Sequence, residues 1–228
     1  MSTLQTSPSN APLSTLMRDG SRAEHTAAEG SSYMASLLDG QVNEQGYADY
    51  LLRLRQVYAA LETVGRELAA TDPLAAAVHD PALERLAAID ADLDHWLGSI
   101  GPGSTGRTDE LDSPAAKAYV ERLEASREWG GLYAAHHYTR YLGDLSGGQA
   151  IGRTLDRTFG LNGKGIAFYD FAEVPKPKPY KDGYRARLDG LGLDADQKAR
   201  VVDEVKVAFG LNQAIFEELS GHLAAYRR

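Results

Sequence analysis

A helical repeat of apolar residues dominates this chain and constrains its fold more than any other sequence feature. From Leu51 onwards the apolar positions fall at steps of three and four, a spacing that lines one face of an α-helix. They are Leu54, Val57, Tyr58, Leu61, Val64 and Leu68. Stretches with the same period cover residues 201–223 and about 114–144, and no paired strands are predicted. We therefore expect an all-α fold of about seven or eight helices.

Glycine and proline clusters mark where these helices end. We expect loops at residues 98–106, 160–165 and 174–179, the last because its alternating prolines cannot lie inside a helix. Ser113 followed by Pro114 is typical of an N-cap and a first helical residue. Residues 166–171 form the one short segment that could be extended.

The length of 228 residues favours one large domain. Residues 1–12 are polar and rich in Ser, Thr and Pro, without the basic start and apolar stretch of a secretory signal. We predict a disordered tail at 1–12 and one domain over 13–228. Since no run of eighteen apolar residues occurs, we expect a cytoplasmic protein that does not enter a membrane.

Charge and cysteine content exclude several classes of function. The formal net charge of −8 argues against binding of nucleic acid. The chain has no cysteine, which rules out disulfides, thiolate nucleophiles and cysteine-bound iron. Any bound metal must therefore use histidine or oxygen ligands.

The segment YTRYLGDLSGGQ, residues 138–149, places three glycines, Gly143, Gly147 and Gly148, in a helical region. Each interior glycine costs about 0.5–1 kcal/mol relative to alanine, so the segment should bend. Glycine permits a flat or bulky ligand to approach the backbone closely, with Asp144 inside the bend. Close packing of two helices through small residues is an equally open explanation.

Histidines provide the candidate metal ligands. His25 and Glu29 are spaced i, i+4, so the carboxylate can accept from one ring nitrogen and leave the other for a metal. One histidine is enough for haem, whose macrocycle supplies four nitrogens, although an ordinary surface pair is the simpler explanation. For His136 and His137 we expect one ring to face the core and the other to point outwards.

A basic segment, residues 174–187, stands out in this acidic chain. Five basic residues against Asp182 give it a local charge of +4; they are Lys176, Lys178, Lys181, Arg185 and Arg187. It is either a solvated helix start, an anion site, or a surface that docks an acidic partner.

Taken together, these motifs resemble the haem oxygenase family. YTRYLGDLSGGQ is similar, without interruption, to the family signature, and His25 to Glu29 resembles its proximal helix. Lys181 to Arg185 resembles its segment that binds the haem propionates. The late helix with Phe209, Asn212 and Phe216 resembles the one that walls the haem pocket, and the similarity covers residues 13–223.

This resemblance implies an all-α fold with haem between a proximal helix and a kinked distal helix. Haem (iron protoporphyrin IX) would be both cofactor and substrate, cleaved with O₂ and an external reductant to biliverdin, CO and ferrous iron. The implied metal ligand is His25, and the implied catalytic residues are Asp144, Gly143, Gly147 and Arg140. The implied cofactor-binding residues are Arg18, Glu29, Tyr138, Gly148, Lys181, Arg185, Phe209, Asn212 and Phe216. Arg18 departs from the lysine expected there, but a guanidinium still suits a carboxylate.

The chain shows no flavin- or nicotinamide-binding pattern, so electrons must come from an external ferredoxin or flavoprotein reductase. We expect a monomer that docks this donor on the basic segment. A non-catalytic haem carrier or storage protein is the main alternative. A thiaminase-like helical enzyme is disfavoured, because such enzymes often depend on a cysteine nucleophile.

Overall fold

The structure, a computed structural model, describes residues 11–100 and 112–228. Within this part the chain forms α1 (Leu13–Gly20), α2 (Arg22–Glu29), α3 (Ser32–Leu38), α4 (Glu44–Ala69), α5 (Pro73–Val78), α6 (Leu86–Ile100), α7 (Pro114–Ala125), α8 (Gly130–His137), α9 (Gln149–Phe159), α10 (Pro177–Asp189), α11 (Ala195–Ser220) and α12 (Leu223–Tyr226). The described residues form no strand, only an isolated bridge between Val42 and Arg227. The single-domain all-α prediction is confirmed. The expected helix count is too low, because the period finds long helices and misses short ones.

Two helices of 26 residues, α4 and α11, form the frame of the domain. The side chain of Asn43 caps α4 by accepting from the Gly46 N–H. Asp194 and Gln197 form a reciprocal capping box at the start of α11. Helices α6 and α7 pack on α4, and α2, α7 and α8 pack on α11, so the buried core lies between the two long helices.

The third periodic stretch is not one helix. Ser113 caps α7 as predicted, with its hydroxyl accepting from the Ala116 N–H at 3.1 Å. The helix then ends at Ala125 and is followed by a 3₁₀ turn and by Trp129 in an extended conformation, after which α8 begins. Apolar period alone misses this break, because the residues on both sides of it are buried.

The structure corrects several local predictions. Helix α6 continues through Gly98 to Ile100, and the rest of the expected 98–106 loop lies outside the described residues. The 166–171 segment is not extended but contains a 3₁₀ turn, Ala167–Tyr169. The loop at 160–165 is confirmed, and its turn needs glycine at Gly160, where φ is +64°. The expected 174–179 loop is shorter, because α10 begins at Pro177 and residues 177–179 form its first turn, where a proline removes no helical hydrogen bond. Residues 1–10, most of the expected tail, also lie outside the described part.

The distal segment, which we define as residues 138–148, joins α8 to α9 as two π-helical turns, Tyr138–Leu142 and Asp144–Gly148. Single π-helical turns insert an extra residue per turn and are frequent at functional sites. They account for the predicted kink. Among the helices that the structure describes, none is both long and apolar enough to cross a lipid bilayer.

Candidate functional site

Two adjoining cavities lie between α2, the distal segment and α11. The inner cavity has a volume of about 410 Å³ and the outer one about 420 Å³. Six residues line both of them: His25, Glu29, Thr139, Gly143, Gly147 and Phe209. The two therefore form one continuous cleft of the size that holds a cofactor or a comparable ligand.

The inner cavity is mainly apolar. Its walls include Met34, Leu38, Tyr50, Ile151, Phe168, Tyr169 and Phe216. A few polar groups also line it, namely Arg140, Asp144 and Asn212. All three were predicted as site residues. An apolar chamber with a small number of placed polar groups is the usual form of a site that binds a large hydrophobic ligand.

His25 lies on α2, on one side of the cleft. Its Nδ1 atom is 3.4 Å from a Glu29 carboxylate oxygen, as the i, i+4 spacing predicts. The imidazole meets the Phe209 ring edge-on, with 5.2 Å between the ring centroids. The His25 side chain is half exposed, so its second ring nitrogen is available to a ligand in the cleft.

The glycines of the distal segment lie on the other side. A Cβ atom at Gly143 or Gly147 would have no heavy atom within 4 Å, and both residues line both cavities. Their missing side chains therefore leave open space rather than a helix contact. Gly148 differs, since its Cβ would lie 3.2 Å from the Tyr169 ring. Of the two explanations for the glycines, ligand approach suits Gly143 and Gly147, and close packing suits Gly148.

A buried polar network supports the distal segment from behind. Tyr58 donates a short hydrogen bond to the Asp144 carboxylate, and Arg140 lies 3.6 Å from the same carboxylate. The Arg140 guanidinium also donates to the Tyr58 hydroxyl at 3.1 Å and to the Asn212 amide oxygen at 2.6 Å. All four side chains are buried, which ties α4, the distal segment and α11 together.

Burial sets the acid–base properties of this network. It raises the pKa of Asp144 above its ordinary value, while the Arg140 guanidinium and the Tyr58 hydroxyl oppose the rise. Burial also raises the pKa of Tyr58, so its hydroxyl keeps its proton and remains the donor. Asp144 therefore combines a perturbed pKa with a position on the cavity wall, as functional carboxyl groups often do.

The outer cavity is lined by three guanidinium groups, from Arg18, Arg22 and Arg185. Arg18 and Arg22 both pair with Asp19, at 3.0 and 2.9 Å. Arg185 pairs with an aspartate of its own helix at 3.2 Å. These exposed pairs are weak, so the cations can turn towards an anionic ligand at little cost. Tyr138 lines the same cavity.

Lys181 is the one predicted site residue that does not line either cavity. Its ammonium group donates to the Ser146 hydroxyl at 2.7 Å, and Ser146 lines the outer cavity. Lys181 thus lies immediately behind the rim. Its pKa is lowered by partial burial and by the neighbouring Arg185.

The prediction that one of His136 and His137 points outwards is wrong. Both rings are buried: His136 Nε2 lies 2.8 Å from Glu204, and His137 Nδ1 lies 2.8 Å from the Tyr184 hydroxyl. Neither lines the cleft. Adjacent helical residues can both be buried where the helix is enclosed, as α8 is on all sides.

Several cleft residues escape sequence reasoning. They are Arg22, Tyr50, Thr139, Phe168 and Tyr169, together with Tyr58 in the network behind the distal segment. Arg22 carried a usable signal, because it lies four positions after Arg18, although the structure ends α1 at Gly20 between the two residues. Tyr58 carried none, since its place in the apolar face of α4 looks like that of any core residue.

Comparison with known proteins decides the family. Residues 11–218 match the family profile described as "Heme oxygenase". The chain belongs to this family. Relatives named Heme oxygenase 1 include one from Nostoc sp., 36% identical over 92% of this chain and 87% of the relative. The human Heme oxygenase 1 is also 36% identical, over 91% of this chain and 71% of its own length.

Solved structures of haem oxygenases share the fold. Heme oxygenase-1 from the cyanobacterium Synechocystis sp., solved in complex with heme, has a TM-score of 0.85 at 32% identity and covers 94% of this chain and 95% of its own. Heme oxygenase from Leptospira interrogans has a TM-score of 0.82 at 35% identity, over 91% and 100% of the two chains. The expected haem-oxygenase-like architecture is confirmed.

Proposed function

We propose that this chain is a haem oxygenase, which binds haem in the cleft and cleaves it oxidatively to biliverdin, CO and ferrous iron. One observation carries the proposal: His25 and the bare backbone at Gly143 and Gly147 line the same two cavities. An imidazole on one side of the cleft and open glycine backbone on the other would hold a flat macrocycle between them and leave its glycine side accessible to O₂. Membership of the family supports the same reaction.

The cleft suits both parts of the haem molecule. The apolar inner cavity, with Phe216 and Ile151 among its walls, suits the hydrocarbon edge of the porphyrin. The arginines of the outer cavity suit the two propionates, since guanidinium groups pair well with carboxylates. His25 would bind the iron, and Glu29 would orient the imidazole and make it a better ligand.

The distal residues would control space and protons. Haem supplies the chemistry of O₂ activation at iron, with electrons from outside the protein. Gly143 and Gly147 would let the distal backbone approach the porphyrin face closely, because neither residue has a side chain in that space. Asp144, held by Tyr58 and Arg140, would orient water at the reacting face and relay a proton through it.

The proposed reaction also needs an electron donor from outside the protein. O₂ and an external reductant are required, and the donor would be a ferredoxin or a flavoprotein reductase. We place its docking surface on the basic segment, where Lys178 and Arg187 are exposed. Raising ionic strength should therefore slow reduction of the bound haem in a stopped-flow measurement. A reduction rate that is independent of salt would contradict this docking surface.

We further propose a monomeric, cytoplasmic enzyme.

The decisive experiment has two stages. Titration with haemin should give a 1:1 complex with the optical spectrum of a histidine ligand. Addition of a ferredoxin and its reductase in air should then convert the haem bands into those of biliverdin, with release of CO. If the complex forms but the haem stays intact, the protein is a haem carrier or storage protein instead.

A further inference from the structure

A short buried turn, Ala167–Tyr169, forms part of the inner cavity wall through Phe168 and Tyr169. The turn is held by Asp92 on α6, which precedes Ala167 by 75 positions in the chain. One carboxylate oxygen accepts from the Ala167 N–H and the other from the Phe168 N–H, each at 2.8 Å. Only 1% of Asp92 is exposed, so no water competes for these two bonds.

Two further side chains fix the same turn. Gln149, the last residue of the sequence motif, donates through its amide to the Tyr169 carbonyl at 2.7 Å. Arg85 donates to the Asp170 carbonyl at 2.6 Å, and its guanidinium stacks over the Phe171 ring at 4.0 Å. The backbone of this segment is therefore anchored by Asp92 on its N–H side and by Gln149 and Arg85 on its carbonyl side.

The two aromatic residues of the turn buttress the distal side of the cleft. The Phe168 ring meets the Tyr58 ring edge-on, with 5.4 Å between the centroids, and Tyr58 is the residue that donates to Asp144. The Tyr169 ring covers Gly148 and Gly152, whose Cβ atoms would lie 3.2 and 3.1 Å from it. A shift of this turn would therefore move the proton-relaying carboxylate and the glycine backbone together.

We propose that Asp92 is a positioning residue that determines which meso carbon of haem is cleaved. The inference rests on the proposed function, because it concerns the placement of haem in the same cleft. Asp92 lines neither cavity, so it would act through Phe168 and Tyr169, whose rings would limit how far the porphyrin can shift in the inner cavity. Displacement of a reacting group by about 1 Å is enough to change reaction rates by orders of magnitude, so competing carbons respond differently.

The test compares Asp92→Asn with a matched control, Asp72→Asn. Asparagine keeps the shape of Asp92 but turns an NH₂ group towards one of the two N–H donors, so one anchor is lost. Asp72 likewise uses both carboxylate oxygens: one accepts from the Leu74 and Ala75 N–H groups at 2.7 and 3.2 Å, and the other from the Gly130 N–H at 2.9 Å. None of these residues lines the cleft. Biliverdin isomers are separated by chromatography after turnover of the haem-loaded proteins.

We expect the share of minor isomers to rise about threefold or more in Asp92→Asn and to stay at the wild-type value in Asp72→Asn. In the haem-free protein, amide hydrogen exchange at Ala167 and Phe168 should accelerate in Asp92→Asn alone. If Asp92→Asn does not fold, Gln149→Leu removes the carbonyl-side anchor of the same turn and should change the ratio likewise.

An unchanged isomer ratio in a folded Asp92→Asn protein that binds haem would overturn the inference. The same holds for an unchanged ratio in Gln149→Leu where that variant replaces it. If the wild-type protein makes no biliverdin, the proposed function fails instead, so the two failures are distinguishable.

Discussion

The two sides of the cleft are built in opposite ways. The proximal side is α2, a helix of eight residues with one buried residue, Ala28, and no side-chain N-cap. The distal side is a bent segment backed by four buried polar side chains from three elements: Tyr58, Arg140, Asp144 and Asn212. The proposed metal ligand, His25, thus lies on the side with few buried contacts, and the proposed acid–base group, Asp144, lies on the fully packed side.

This difference indicates that the proximal side adjusts to the ligand and that the distal side is preorganised. A half-exposed His25 can adjust to the ligand, and bound haem would stabilise α2 by mass action. The distal network must be in place before haem arrives, since a buried carboxylate without its partners would be costly. Substitutions on the proximal side should therefore change ligand binding, and those on the distal side should change stability and chemistry.

The largest effect is expected for His25→Ala. Loss of the proposed iron ligand should reduce biliverdin formation to background and alter the optical spectrum of bound haem, and added imidazole should restore part of both. The haem-free protein should change in unfolding free energy by no more than about 0.5 kcal/mol, because the side chain is half exposed. An unchanged haem spectrum would show that another residue binds the iron.

Arg140→Met should give the largest loss of stability. It removes the cation from a buried ion pair and leaves the Asp144 carboxylate with the Tyr58 hydroxyl alone, and loss of one partner costs about 3–5 kcal/mol in such pairs. Urea unfolding of the haem-free protein measures this. Arg18→Met is the proximal control, expected within about 0.5 kcal/mol of wild type because Arg18 is exposed. Equal losses in both variants would remove the contrast between the two sides.

Asp144→Ala should separate binding from chemistry. Haem affinity should stay within a few-fold of wild type, since Asp144 is not among the proposed propionate- or iron-binding residues. Biliverdin formation should fall by about 100-fold, the range typical for loss of a general acid–base group. Optical titration and a single-turnover assay measure the two quantities. Biliverdin production at the wild-type rate would show that Asp144 has no part in proton delivery.

A smaller, pH-dependent effect is expected where α8 meets α11. Burial raises the pKa of Glu204, but hydrogen bonds from His136 and Arg122 outweigh it and bring the pKa to about 2, below the ordinary 4.5. Because the pKa of Glu204 is depressed in the folded protein, its ionised carboxylate stabilises the fold above pH 4.5, and this stabilisation is lost as the pH falls towards 2. Glu204→Gln should flatten the stability profile in this window, measured by thermal unfolding. A profile parallel to that of wild type would contradict the assignment.

Local sequence rules predicted much of both sides. The spacing of His25 and Glu29 placed them in contact, because residues four apart on a helix share a face whatever surrounds them. The glycines of the distal segment predicted a bend, since their backbone cost demands a reason. The network behind Asp144 could not be predicted this way, because its partners Tyr58 and Asn212 lie 86 and 68 positions away.

The sequence by itself determined the helical class, the start of α7, the end of α9 and the haem oxygenase resemblance, since period, caps and a contiguous motif are properties of neighbouring residues. Only the tertiary structure decided that His136 and His137 are both buried, that Lys181 lies behind the cleft rim and that Asp92 holds the inner wall. The physical reason is that burial and hydrogen-bond partners depend on which helices pack together. Packing brings together residues that are far apart in the chain, and local sequence patterns do not predict such contacts.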